Sequence, residues 1–202
     1  MGLTREDYEA VSAAIHAAET RTCGQIVCVL AHASSDYAYV PILWASVLAL
    51  VVPWPLINFT EWSVQRIYLI QLALFLAAAL LFFWTPLRLA LVPRAVQRAR
   101  AHRAALEQFV VRRVGHTKNR TGVLIFVSLA ERYARIVADD GITQKVHNSE
   151  WQGAIDALIR HMRDGHIAQG FTAAIERCGA VLAVHAPPDG TPNELPDRLY
   201  VI

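Results

Sequence analysis

Two long apolar segments dominate the pattern of hydrophobic and polar positions, and a short polar corner joins them. The segments are residues 38–57 and 67–85, the corner is residues 58–63, and neither segment holds a charged side chain. Each has about 20 residues, the length that an α-helix needs to cross a hydrocarbon core about 30 Å thick. Tyr and Trp side chains lie near the segment ends, as at a membrane–water boundary. The pattern predicts a transmembrane helical hairpin over residues 38–85.

An alternative is a pair of buried helices in a soluble protein, but this length without a charge is uncommon for them. Three prolines, Pro41, Pro53 and Pro55, lie in the first segment. Proline kinks or ends a helix, so the pattern does not fix the first and last residues of that span.

Shorter patterns before the hairpin predict the first part of a soluble domain, residues 1–37. Apolar positions at helical spacing favour a helix over residues 5–21. Thr4 is placed to cap it, with Asp7 reaching back from the third helical position. The run at residues 25–31, QIVCVLA, is typical of a buried strand.

Residues 86–186 predict the remainder of the domain. A long helix is expected over 94–114, a strand over 122–129 and a second, short strand over 135–138. Ser149 and Gln152 can form a capping box, which favours a helix that begins at residue 149. A last helix is expected after it. Residues 181–185 could instead form an edge strand. The first two strands flank a crossover and should be parallel. Residues 187–202 form a turn-rich tail whose apolar residues, Leu195, Leu199 and Val201, can fold back on the core.

Charge is distributed unevenly, although the net charge of the 202-residue chain is only +2. Between positions 88 and 120 there are nine Lys and Arg residues against one acid, Glu107. Lys and Arg beside a span stay on the cytoplasmic side, which predicts an inner-membrane protein with both termini in the cytoplasm. The arginines nearest the hairpin either bind anionic headgroups, at about 1 kcal/mol each, or only fix topology. These are Arg88, Arg94, Arg98, Arg100 and Arg103.

Three cysteines, Cys23, Cys28 and Cys178, fit a reducing compartment, because an odd number cannot all pair. We interpret them as small buried apolar residues. No Gly-rich phosphate loop, zinc-finger spacing or aromatic and basic nucleic-acid surface is found in the sequence, so no nucleic-acid partner is expected.

Asp139 and Asp140 are the candidate metal ligands, since two adjacent carboxylates before Gly141 offer oxygens to Ca²⁺ or Mg²⁺. The competing interpretation is a plain solvated turn. Glu131 lies at the other end of the strand pair, about 15–20 Å away at about 3.3 Å per residue, so it should not share a metal with Asp139. Glu131 itself is interpreted as part of a surface charge cluster.

The segment TGVLIFVSLAERYARIVADDGI is similar to the core of the TPM domain family. The helical sequence from position 149 resembles the closing helices of that family, and the opening helix and QIVCVLA resemble its start. The likeness is greatest to bacterial membrane members with a hairpin inserted after the first strand. It implies an α/β fold in which a small mixed sheet lies between helices, interrupted here by the hairpin. It also implies roles in maintaining membrane complexes and, for some members, divalent-cation binding and weak phosphatase activity.

These observations together predict a membrane-anchored module whose partners are the lipid bilayer and an unidentified membrane protein. No nucleophile, base and orienting group stand at recognisable spacing, so a non-catalytic scaffold is the preferred hypothesis. The alternative is a cation-dependent phosphatase or a cation sensor that uses Ca²⁺ or Mg²⁺.

Overall fold

A computed structural model describes residues 3–37, 39–83 and 89–202. The chain forms two compact units. The first, the α/β unit, comprises Met1–Ser34 and Ala99–Ile202, and the second, the hairpin unit, is Ser35–Arg98. The predicted hairpin limits Ala38 and Thr85, and the basic residue Arg88, lie outside the described residues.

Helix α1, Arg5–Glu19, opens the α/β unit. The Thr4 hydroxyl accepts a hydrogen bond from the Asp7 backbone N–H, and the Asp7 carboxylate accepts one from the Thr4 N–H at 2.8 Å. Together these bonds satisfy two of the amides that a helix start leaves unpaired. The predicted capping box is confirmed. Strand β1, Gln25–Ala31, follows with the predicted limits.

Three helices of the hairpin unit lie between residues 39 and 83. They are α2, Tyr39–Val51, α3, Pro53–Phe59, and α4, Val64–Phe83. The break between α2 and α3 falls at Pro53, because proline fits the first position of a helix but removes a hydrogen bond inside one. Ala45 and Ala49 of α2 are buried where the helices pack, since small side chains let two helices approach closely.

Helix α5, Arg94–Val111, ends three residues earlier than predicted. Arg113 adopts a left-handed conformation (φ 56°), which stops the helix before a 3₁₀ turn at Val114–His116. Strands β2, Gly122–Ser128, and β3, Tyr133–Ala138, follow.

The last part of the chain is mostly helical. It comprises α6, Asp140–Thr143, α7, Gln152–Arg163, and α8, Ile167–His185, followed by strand β4, Leu199–Val201. The alternative of an edge strand at 181–185 is wrong, because these residues continue α8.

The predicted cap of α7 is also wrong. No side chain caps this helix, which begins after Trp151. Gln152 bonds Asp156 one turn later instead of reaching back to Ser149. The Glu150 carboxylate accepts from the His147 N–H, closing a local turn that competes with an earlier helix start.

The four strands form one mixed sheet in the order β3-β2-β1-β4. β1 is parallel to both β2 and β4, and β2 is antiparallel to β3. The parallel and antiparallel pairs of the first three strands agree with the prediction. β4 was not predicted as a strand, although its residues were expected to fold back on the core.

Both faces of the sheet are covered by helices. Alternate residues of β1 and β2 pack on one face against α1, α7 and α8, and the intervening residues pack on the other against α5. Every residue of β1 and β2 is therefore buried, as expected of parallel strands between two helical layers. The predicted class, a small mixed sheet between helices, is confirmed.

Candidate functional site

The hairpin unit exposes large apolar side chains in a manner unusual for a water-soluble surface. Leu50 is 74% exposed, Phe59 80%, Val64 82% and Leu80 79%. Water-soluble monomers rarely carry a continuous apolar surface, since it marks a membrane or partner contact. Both helical arms, Tyr39–Phe59 and Val64–Phe83, are long and apolar enough to cross a membrane.

A third helix, α8, also meets that criterion of length and composition. Its apolar side chains, however, pack inside the α/β unit. Phe171, Ile175, Cys178 and Leu182 are fully buried against the sheet, α1 and α7. Packing in the core of the α/β unit therefore explains the apolar character of α8.

Arginines of α5 follow the hairpin directly. Arg94, Arg98 and Arg103 are exposed, whereas Arg100 is half-buried and has an interaction partner. Arg88 lies outside the described residues. The exposed guanidinium groups are available to phosphate or carboxylate groups, with which they form paired hydrogen bonds.

Glu131 lies at the carboxyl ends of β1 and β2, where ligands bind in many parallel sheets. Its carboxylate accepts from the Ser34 backbone N–H, at 3.0 and 3.2 Å, and from the Ser128 hydroxyl. Only 8% of Glu131 is exposed, so the expected surface charge cluster is wrong for this residue. Glu131 instead ties the segment that leaves β1 to the end of β2.

Asp139 lies at the opposite end of β2, where its N–H donates to the Gly122 carbonyl at 2.9 Å. Glu131 and Asp139 thus flank different ends of a seven-residue strand, as predicted. Asp139 caps α6, and its Oδ1 accepts from the Asp140 N–H at 2.7 Å. The chain here is a short capped helix and not a plain turn.

The two candidate metal ligands differ in their surroundings. Asp139 is 8% exposed, and its Oδ2 is buried with no hydrogen-bond partner within residues 3–37, 39–83 and 89–202. Asp140 is exposed and pairs with Arg120 at 3.1 Å. Gly141 approaches the Asn119 and Arg120 carbonyls so closely that a side chain would collide with them. The start of α6 therefore contains one buried carboxylate oxygen without a hydrogen-bond partner in the described part of the chain.

A half-buried carboxyl group that the sequence patterns did not indicate lies at the end of α1. Burial raises the pKa of Glu19 from 4.5 to about 8, the nearby Asp197 carboxylate adds to the rise, and a bond from the Ile26 N–H opposes it. That bond, at 2.7 Å, joins Glu19 to β1. Glu19 is therefore largely protonated at neutral pH.

Asp197 belongs to the tail that precedes β4. It accepts from Asn193 at 2.6 Å and lies 3.1 Å from the His16 ring, while Ser12 donates to its backbone carbonyl. These contacts dock the tail on α1. Asp197 is far from α1 and from Glu19 in the sequence, so no local sequence pattern could predict these contacts.

Two of the three cysteines agree with their interpretation as small buried apolar residues. Cys28 and Cys178 are fully buried, and burial raises the pKa of Cys178 to about 12. Both thiols are therefore uncharged and unreactive at neutral pH. Cys23 is half-buried, and all three are free.

The polar contacts of Glu131, Glu19 and Asp197 join separate segments of the α/β unit. Among the described residues, no group of three or more His, Cys, Asp or Glu side chains is placed to hold a metal ion. Ser128 and Glu131 form a buried hydrogen bond within the turn from β2 to β3. The α/β unit nevertheless has a recognisable sequence pattern.

Residues 85–181 match the TPM domain. The match begins before α5 and ends within α8, so it covers β2, β3 and the Asp139 turn but not α1, β1 or β4. It confirms the TPM resemblance over this range.

The complete chain also has a structural neighbour. It is similar to the BA42 protein from the psychrophilic bacterium Bizionia argentinensis, whose structure was determined by NMR, with a TM-score of 0.62. The sequences are 20% identical, and the match covers 100% of this chain and 97% of that chain. This likeness shows the fold alone. No curated protein matches the sequence.

Proposed function

We propose that this TPM-like protein is a non-catalytic interaction module anchored in the inner membrane. Its hairpin, inserted after β1 as in bacterial membrane members of the family, crosses the bilayer twice. The outward-facing apolar side chains of α2, α3 and α4 are the observation that carries the proposal. Transfer of such side chains from water into hydrocarbon is favourable by about 25 cal/mol per Å² of apolar surface.

The arginines set the orientation. Arg94, Arg98 and Arg103 retain the end of the hairpin in the cytoplasm, and an even number of crossings returns both termini to that side. The α/β unit is then tethered near the inner leaflet. Tethering raises its effective concentration for a neighbouring membrane complex or for anionic headgroups, without any turnover.

Membrane retention tests the anchor. The full chain should remain in the membrane pellet after alkaline carbonate extraction, and Leu76→Arg should release or aggregate it, because a charge near the centre of a span costs about 2.5–3.5 kcal/mol. Leu106→Arg is the matched control, since it places the same charge on an exposed position of α5. Extraction of the wild-type chain by carbonate would contradict the anchor.

Reporter fusions test the orientation. A reporter that folds only in the cytoplasm, joined after Ile202, should be active, and one that requires export should be silent. The opposite result would place the α/β unit outside the cytoplasm and remove the proposed partners.

A second candidate function is a Ca²⁺ or Mg²⁺ sensor, or a weak cation-dependent phosphatase. The buried, unpartnered Oδ2 of Asp139 favours it. The neighbouring Asp140 carboxylate pairs with Arg120, whereas Ca²⁺ takes six to eight oxygen ligands. Water would have to complete the shell.

Thermal denaturation of the full chain in detergent tests this candidate. A sensor should gain about 2.7 kcal/mol of stability at a cation concentration 100 times its Kd, and Asp139→Asn should remove the gain. Asp164→Asn, at an exposed position, is the matched control. Cation-dependent hydrolysis of a generic phosphate ester that disappears only in Asp139→Asn would overturn the non-catalytic proposal.

A further inference from the structure

The polar side chains of the hairpin share one groove. Between Tyr39 and Ile57, and between Ile67 and Phe83, Ser46 and Gln71 are the two polar residues without an aromatic ring. Both line a cavity of about 300 Å³ between α2 and α4, beside Tyr68 and Phe75. We call this cavity the hairpin groove. The rest of its lining is apolar.

Gln71 differs from Ser46 in its hydrogen bonding. The Ser46 hydroxyl donates to the Ile42 carbonyl at 2.8 Å, so its donor is satisfied. The Gln71 carboxamide has no hydrogen-bond partner in the described part of the chain. It lies seven residues into α4, about 10 Å from the start of that helix. In the proposed bilayer, this depth is within the hydrocarbon, where an unpaired amide is costly.

The partner that satisfies Gln71 must both donate and accept a hydrogen bond. A lipid acyl chain does neither. A second Gln71 does both, because each carboxamide has an NH₂ donor and a carbonyl acceptor. Two hairpins related by a twofold axis bring the same groove on each copy together, so one carboxamide can bond reciprocally with the other.

We propose that the hairpin groove is a homodimer interface, in which Gln71 of one chain bonds Gln71 of a second copy within the membrane. This inference rests on the proposed insertion of the hairpin. Ser46, a small and half-buried residue at the groove, allows a helix of the second copy to approach closely.

The test uses the full chain with donor and acceptor fluorescent proteins fused after Ile202, reconstituted in phosphatidylcholine vesicles. Energy transfer, measured against the protein-to-lipid ratio, gives the association constant. Gln71→Leu should weaken association about 3- to 30-fold, the range expected for interhelical polar bonds of about 0.6–2 kcal/mol. Gln71→Asn, which keeps the carboxamide, should retain more association than Gln71→Leu.

Gln65→Leu is the matched control, because it removes the same group from an exposed position in the first turn of α4, outside the groove. It should associate like the wild type. A vesicle-retained wild-type chain that stays monomeric, or Gln71→Leu that associates equally well, would overturn the dimer and leave the anchor intact. A chain that carbonate strips from the vesicles would overturn both.

Discussion

Helices α4 and α8 have similar lengths and both are apolar enough to cross a membrane, yet they use their side chains differently. In the most apolar window of α8, 44% of the residues are buried, against 11% for α4. Apolar content alone therefore does not distinguish a core helix from a membrane helix. The distinction depends on whether other elements of the same chain cover the apolar face.

The sequence of α8 shows why its face is covered. Buried residues recur at helical spacing, from Phe171 through Ile175 and Cys178 to Leu182, while Glu176 and Arg177 lie between them. This spacing gives one apolar and one polar side. From Ile67 to Phe83, α4 has no charged residue on any side, so no face of that stretch is suited to water.

The largest expected effect tests this contrast directly. Phe171→Ala, at a fully buried position of α8, should lower the free energy of unfolding by about 3–5 kcal/mol through lost burial and a cavity. Leu80→Ala, at a 79% exposed position of α4, should change it by less than about 0.5 kcal/mol. Chemical denaturation of the full chain in detergent measures both. Equal losses would show that α4 is packed in a core like α8.

The two units should also differ in their response to pH. The raised pKa of Glu19 means that the folded state holds its proton more tightly than the unfolded state does. This contribution to stability is complete below about pH 4.5 and is lost as the pH rises through about 8, with a slope of at most about 1.4 kcal/mol per pH unit.

Glu19→Gln removes the titrating group and should flatten this part of the pH profile of unfolding. The measurement is denaturation of both proteins at several values between pH 5 and 9. Parallel profiles for the variant and the wild type would contradict a protonated Glu19. The stretch of α4 from Ile67 to Phe83 contains no charged group, so it should add nothing to the slope.

The smallest expected effect concerns helix starts within the α/β unit. Thr4→Ala should cost about 1 kcal/mol, because it removes a capping hydroxyl that accepts from Asp7. Ser149→Ala should cost less than about 0.5 kcal/mol, since no side chain caps α7. Thermal melts compare them. If Ser149→Ala lowered the stability as much as Thr4→Ala, Ser149 would cap α7 as the sequence predicted.

The central elements could be predicted because their patterns are local. β1 and β2 are continuous apolar runs, and Gln25 and Gly122 mark their starts as predicted. β4 was missed because three residues are too short for a periodic pattern, and its partner β1 lies about 170 positions earlier. The sequence also suggests a cap at Ser149 that a competing turn removes.

Less of the candidate sites was predictable. Adjacent acids identified Asp139 and Asp140, but the pattern could not distinguish the buried carboxylate from the one paired with Arg120. Burial of Glu131, and the approach of Asp197 to Glu19, depend on segments that meet only in the folded chain. Ser46 and Gln71 line one groove only because α2 packs on α4, so the sequence alone did not predict that groove.

The parallel pairing of β1 with β2 has a consequence for biosynthesis. These strands match along seven residues, from Gln25 with Gly122 to Ala31 with Ser128, but the whole hairpin separates them in the chain. If only one arm of the hairpin were inserted, the bilayer would hold the strands in different compartments and the sheet could not assemble. If the hairpin crosses the bilayer as we propose, the pairing of β1 with β2 therefore requires an even number of crossings between them.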